Sequence, residues 1–170
     1  MTGARRKFAL LDRDGTIIVD KVYLSDPAGV EFARGALEGL RLLRDSGFEL
    51  IVVTNQSGIA RGYFDAAALS RVHDRLNALL AEQGLALAAI YYCPHGPGDG
   101  CRCRKPAAGM AQNAMRDFGF GPGDAVAIGD SDADVAMARA AGLAGVKIGA
   151  DEGCVPDFLA AARRACALFV

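Results

Sequence analysis

Five short apolar runs, each broken off by a polar cluster or a glycine, constrain this chain more than anything else in its sequence. They fall at residues 8–11, 48–53, 88–92, 125–128 and 145–148. Runs of that length suit buried strands of a parallel sheet. Helix-like segments follow them at 36–46, 65–82, 108–118, 133–141 and 155–165. Leu37, Leu40 and Leu43 share one helical face, and Leu69, Val72, Leu76, Leu79 and Leu80 form a stripe on the second. Asp65 is placed to cap that second helix, and Gly84 to follow its end. Strands alternating with helices predict an α/β fold, a Rossmann-like three-layer sandwich around a mostly parallel sheet. At 170 residues a single domain spanning 1–170 is expected. The segments after Thr16 and Thr54 return quickly to the core pattern, which leaves no room for a large cap domain.

Composition narrows the partners. The formal net charge is −1 and 52% of residues are hydrophobic, enough for a full core and no basis for a nucleic-acid or membrane surface. The basic start Arg5-Arg6-Lys7 is too short to be more than a solvated end. The apolar stretch after it stops at Asp12, too soon for a signal peptide, and no run approaches membrane-span length. The five cysteines are an odd number in a chain large enough to need no disulfide. A reducing, cytoplasmic setting and a monomer are the expectation.

In parallel sheets of this kind the ligand crevice lies at the carboxyl ends of the strands. The unusual polar clusters fall there: Asp12/Asp14, Thr54/Asn55, Cys93/His95 and Asp130. Asp12 and Asp14 at the end of an apolar run could face one crevice, because strand side chains repeat every second residue. They would repel unless a cation lay between them, and hard carboxylate oxygens suit Mg²⁺. Taken alone, Asp-x-Asp-Gly reads equally as a strand followed by a turn with solvated aspartates. Taken together, the clusters describe a phosphoryl-transfer site. Mg²⁺ would be held by Asp12, the main-chain carbonyl of Asp14, and Asp130. Thr54 and nearby N–H groups would hold phosphate oxygens. Lys105 would bind phosphate and keep Asp12 ionised, and Arg104 would grip a second anionic group.

The set Asp12-Arg13-Asp14-Gly15-Thr16, Thr54, Lys105 and Gly129-Asp130 with Asp134 resembles the four motifs of the haloacid dehalogenase superfamily of phosphatases, in order and across nearly the whole chain. The resemblance implies that Asp12 is the nucleophile and Asp14 the general acid/base, with Thr54, Arg104 and Lys105 completing the catalytic set.

Cys93-Pro94-His95 and Cys101-Arg102-Cys103 add a second constellation. One-residue spacing in extended chain puts both ligands of each pair on one side. Three thiolates and an imidazole make a closed tetrahedral Zn²⁺ site, so the zinc would be structural, folding a glycine- and proline-rich loop and holding Arg104 and Lys105 at the crevice. The alternatives are a disulfide, or free cysteines beside an unrelated histidine. Cys154 and Cys166 have no such neighbours.

This loop, the Cys-Arg-Lys-Pro after it and the stretch from Val53 to Gly62 resemble two related phosphatase families of the superfamily, one acting on heptose bisphosphates and one on histidinol phosphate, the heptose family more closely. A phosphorylated sugar is the substrate class implied. The implied contacts are Asp12, Arg13, Asp14, Asp20 and Tyr23 from the first loop, Thr54, Asn55, Gln56 and Ser57 from the second, and Arg104 with Lys105. Two departures stand out: Ser131 follows the last metal aspartate where the heptose enzymes usually carry lysine, and only five residues separate His95 from Cys101. A reading of another class is a zinc-stabilised binding module without activity; the joint presence of the acidic motifs and Lys105 speaks against it. His73, within an amphipathic helix, reads as a satisfied or surface histidine rather than a ligand, and Asp132 as a helix cap or an outer-shell group of the metal.

Overall fold

The computed structural model describes residues 5–170. The strands β1 (Lys7–Leu11), β2 (Phe48–Asn55), β3 (Ala89–Cys93), β4 (Ala125–Gly129) and β5 (Ala144–Lys147) pair in the order β3-β2-β1-β4-β5, all parallel. The helices are α1 (Ala36–Asp45), α2 (Ala66–Glu82), α3 (Gly109–Phe118), α4 (Asp132–Ala140) and α5 (Phe158–Ala167). The strand order reverses its direction at β1, so the crevice at the carboxyl ends of β1, β2 and β4 is the topological switch point where such sheets bind ligands.

Alternation along the strands divides the core in two. Ala9, Leu11, Leu50, Val52, Val126 and Ile128 face α1, α2 and α5, packing on Leu40, Leu43, Val72, Leu76, Phe158 and Ala162. Phe8, Leu10, Ile51, Val53, Ala125 and Ala127 face the other way, onto Met110, Ala114, Met137 and Ala138 of α3 and α4. This is the three-layer sandwich that the periodicity predicts.

The differences from expectation have local causes. β2 runs on through Thr54 and Asn55 because β3 extends beside them, pairing Asn55 with Cys93. α5 starts at Phe158 rather than 155: Pro156 precedes Asp157, whose side chain accepts from Ala160 N–H and caps the helix. In α4 the cap is Ser131, not Asp132. Ser131 and Asp134 form a reciprocal capping box, so Asp132 lies in the first turn with its side chain 95% exposed, 2.7 Å from Lys147 Nζ. It neither caps the helix nor approaches the acidic cluster. Asp65 caps α2 as expected, accepting from Ala68 N–H.

Candidate active site

β1 ends at Leu11, but the chain stays pinned one residue further: Asp12 N–H donates to Ile128 O at 2.9 Å. The chain then turns back so tightly that the Arg13 carbonyl accepts from both Ile17 and Ile18 N–H, each at 3.0 Å. Gly15 takes φ 76°, and a β-carbon there would collide with the Asp130 carboxylate. A glycine is therefore required twice over, by conformation and by space. Asp12 and Asp14 are brought to one crevice by this turn rather than by strand alternation.

The Asp12, Asp130 and Asp134 carboxylates come within 4.8 Å of one another. Lys105 reaches in from the far side, its ammonium 2.8 Å from Asp12 Oδ1, 2.6 Å from Asp134 Oδ1 and 2.9 Å from Val53 O. Burial pushes the Asp12 carboxyl up to about 8, the pull of Lys105 opposing it and Asp134 and Asp130 adding to it. Burial likewise raises Asp130. Lys105 is raised: burial works against its charge, but Asp12 and Asp134 outweigh it. With all three carboxylates ionised, one ammonium would leave the cluster two negative charges in excess, which one divalent cation with oxygen ligands would balance. The donor set thus fits Mg²⁺, with Asp12 and Asp130 at the crevice. Asp134 is better placed to hold Lys105; it also accepts from the N–H and hydroxyl of Ser131.

Asp14 faces a different set of partners. The Arg13 guanidinium lies against it, with Nη2 at 2.9 Å from Oδ1 and Nε at 3.2 Å from both oxygens. Gln56 Nε2 donates to Asp14 Oδ2 and to Thr54 Oγ1, both at 2.9 Å. Arg13 is 1% exposed and engaged with Asp14, its remaining terminal nitrogen 3.0 Å from His73 Nε2, so little of this expected substrate contact is open to the crevice. Thr54 is fully buried at the end of β2.

The four zinc candidates also converge. Sγ of Cys93 and Cys101 are 3.6 Å apart, Cys101 and Cys103 3.6 Å, Cys93 and Cys103 2.9 Å, and His95 Nδ1 is 3.5 and 3.3 Å from Cys93 and Cys103. Thiolates about 2.3 Å from a tetrahedral Zn²⁺ sit roughly 3.8 Å apart, so the donor set and two of the three thiol pairs suit that ion, and the Cys93–Cys103 pair has to open on binding it. Burial pushes the Cys93 thiol up to about 12, a penalty that a bound cation would reverse. Arg104 N–H points at Cys101 Sγ at 3.4 Å, and Arg104 Nη1 donates to His95 O at 3.2 Å. Asn55 then clamps the main chain of the next residue, its amide pairing with both N–H and C=O of Lys105. The metal loop is thereby bolted to β2, and Lys105 is aimed inward.

A cavity of about 270 Å³ opens over Asp14, lined by Arg13, Asp20, Val22, Tyr23, Leu24, Asn55, Gln56 and Ser57. A second, of about 450 Å³, opens between the metal loop and Arg104, Lys105 and Pro106. A larger one of about 640 Å³ lies to the side, under Tyr63 and the start of α2, and contains no motif residue. Its size does not make it the reaction site. Sequence reasoning missed the clamping role of Asn55 and the pairing of Arg13 with His73. Only the strand-end position of Asn55 and the place of His73 on the Leu69, Val72 and Leu76 stripe pointed to either.

The comparisons agree with this geometry. The family described as HAD-hydrolase-like matches residues 102–165. A D-glycero-beta-D-manno-heptose-1,7-bisphosphate 7-phosphatase of Pseudomonas aeruginosa is 43% identical over 136 residues, 79% of this chain and 76% of that protein. One of Haemophilus ducreyi is 41% identical over 145 residues, covering 81% and 80%. The crystal structure of a D,D-heptose 1,7-bisphosphate phosphatase from Bordetella bronchiseptica, complexed with magnesium and phosphate, superposes with a TM-score of 0.84 at 35% identity, covering 93% of this chain and 97% of that one. Relatives this similar, matched over most of both chains, establish that this chain belongs to the haloacid dehalogenase-like phosphatases.

Proposed function

We propose that this protein removes the 7-phosphate of D-glycero-D-manno-heptose 1,7-bisphosphate through an aspartyl-phosphate intermediate, leaving heptose 1-phosphate for activation as an ADP- or GDP-sugar. The observation that carries the reading is the separation of the two carboxylates. Asp12 Oδ1 is tied to Lys105 while Asp14 is tied to Arg13 and Gln56, so the two acids meet the crevice in different electrostatic settings. That division suits one nucleophile and one proton carrier.

The oxygen of Asp12 that Lys105 does not hold attacks phosphorus. The bond from phosphorus to the C7 oxygen breaks with its electron pair, and Asp14 donates a proton to that oxygen. Asp14, now a carboxylate, takes a proton from a water that attacks the phosphorylated Asp12, and inorganic phosphate leaves. Thr54 Oγ1 and the N–H groups after it bind the phosphoryl oxygens. Mg²⁺, held by Asp12, the Asp14 carbonyl and Asp130, would supply charge neutralisation and alignment. Arg104, at the cavity beside the metal loop, meets the second phosphate of the substrate, and Asp20, Tyr23 and Ser57 frame the sugar. Zn²⁺ on Cys93, His95, Cys101 and Cys103 is structural. We further read the chain as one domain acting as a cytoplasmic monomer without nucleic-acid or membrane partners; no helix among the described residues is long and apolar enough to cross a membrane.

Mg²⁺-dependent phosphate release from both anomers of heptose 1,7-bisphosphate, histidinol phosphate and common hexose phosphates tests the reading. Preference for a heptose bisphosphate supports it, and preference for histidinol phosphate overturns the substrate while keeping the chemistry. Asp12→Asn is expected to lose on the order of a thousandfold or more in turnover; near-normal turnover would defeat the covalent route.

A further inference from the structure

One buried polar pair lies outside the reaction just described. Arg13 comes from the turn after β1 and His73 from α2. Both are buried, at 1% and 8% exposure, and Arg13 Nη1 lies 3.0 Å from His73 Nε2. A guanidinium can only donate, so His73 Nε2 must accept, which places the ring proton on Nδ1. Burial, reinforced by the charge of Arg13, pushes the imidazole down to about 4, so the ring is neutral when it accepts. The rest of the Arg13 fork is spent on Asp14, with Nη2 and Nε both against its carboxylate. Tyr92, in β3 just before the metal loop, lies edge-on to the His73 ring, centroids 6.2 Å apart.

We infer that His73 is a positioning residue for proton transfer: by holding the far end of the Arg13 guanidinium it fixes the fork that aims Asp14 at the leaving oxygen. The inference rests on the proposed role of Asp14 as acid and base. Side-chain hydrogen bonds in a chain of this kind orient one another, since each restricts the rotation of the next. Without an acceptor at position 73, one donor of a buried guanidinium is unpaired. The arginine then has reason to rotate towards another partner, and Asp14 loses two of its three side-chain donors together.

The choice of substrate separates positioning from mere support. A sugar alkoxide is a poor leaving group and needs the Asp14 proton, whereas p-nitrophenolate departs without one. Both are read as kcat/KM, which reports the steps through departure of the leaving group. His73→Leu is expected to lower kcat/KM on heptose 1,7-bisphosphate by roughly tenfold and on p-nitrophenyl phosphate by less than about twofold. His73→Gln, whose carbonyl oxygen can reach the Nε2 position, is expected to recover most of the loss. Should His73→Leu fail to fold, His73→Asn, polar but one bond too short to reach, replaces it in the comparison. Equal losses on the two substrates, or a Gln variant no better than Leu or Asn, overturns the inference. Asp14→Asn serves as the reference: if it fails to separate the two substrates, the role given to Asp14 falls, and if it separates them while His73→Leu does not, only the role of His73 falls.

Discussion

Lys105→Met offers the most direct probe of the charge balance at the crevice. Nζ of Lys105 donates to Asp12, Asp134 and Val53 O, and its side chain is 3% exposed against 12% for Asp12 and 4% for Asp134. Methionine keeps the length and apolar stem and removes the charge. Breaking a buried pair by deleting one partner costs about 3–5 kcal/mol, because the other charge is left uncompensated. In a chain of this size each kcal/mol moves Tm by roughly 2–4 °C, so a fall of about 6–20 °C is expected. The pH dependence carries the sharper test. Asp12 has a folded pKa of about 8 against 3.8 unfolded, so keeping it ionised costs the folded state more as pH climbs through that window. Without Lys105 the folded value rises further and the window extends beyond 8. Near pH 6, therefore, the loss is mainly that of Asp134 losing its partner, and by about pH 9 Asp12 adds to it. Urea unfolding without Mg²⁺ at the two pH values measures this. A loss below about 1 kcal/mol at both, or an identical loss at both, would refute the reasoning. Asp134→Asn introduced into the Lys105→Met background should recover part of the stability, since it removes one of the stranded charges.

Four further expectations follow from the geometry. A β-carbon on Gly129 would run into the Asp134 side chain, so Gly129→Ala must displace Asp134 from Lys105 and should cut kcat roughly tenfold or more, read as steady-state phosphate release. Thr16 Oγ1 is buried without a hydrogen-bond partner among the described residues, so Thr16→Val should leave Tm unchanged or raise stability by about 1 kcal/mol; a loss of 2 kcal/mol or more in urea unfolding would refute this. His73 titrates near 4 folded and 6.5 unfolded, so its contribution is complete above about pH 6.5 and falls away towards pH 4, by on the order of 3 kcal/mol; the difference in stability between wild type and His73→Gln across that range should show this slope. Cys101→Ser should release the structural metal, read as zinc content, and lower Tm by at least roughly 5 °C, with activity falling because Lys105 follows the loop.

The sheet and its crevice were legible because their signals are local. An apolar run that stops at a polar cluster marks both a buried strand and its end, so the sequence alone assigns Asp12, Thr54, Cys93 and Asp130 to one edge. The metal loop was equally plain, since Cys-x-His and Cys-x-Cys spacing fixes the direction of each ligand pair. What escaped was contact at long sequence separation. Arg13 reads as a charged loop residue with every reason to meet solvent or substrate, because arginine is rarely enclosed unless paired; its partners are Asp14, one residue away, and His73, sixty residues away. Asn55 reads as a substrate contact, and only the fold shows that its amide is engaged by the Lys105 main chain. The start of α5 is hidden by a nearer contact: Val155 is apolar because it pairs with Ile148 in a β-bridge, not because it belongs to the helix.

No cap domain covers the crevice among the described residues, and the loop over Asp14 is built under strain. Val22 and Tyr23 both take left-handed backbone, φ 52° and 59°, where a β-branched residue is least at ease. Such conformations cost of order 1–3 kcal/mol each and persist only when neighbours over-determine them. Here Asp20 Oδ1 accepts from Val22 N–H at 2.8 Å, Tyr23 packs edge-on against Tyr63 at 4.8 Å, and the Arg61 guanidinium lies over the Tyr23 ring at 5.9 Å. The last two residues belong to the segment after β2, so the loops following the two central strands hold each other's shape. The consequence is that the roof of the cavity is already formed. A substrate need not pay to order it, and Val22→Gly, relaxing the strain, would loosen the fit for the sugar while leaving Asp12, tied to β4, and Lys105, clamped by Asn55, as they are.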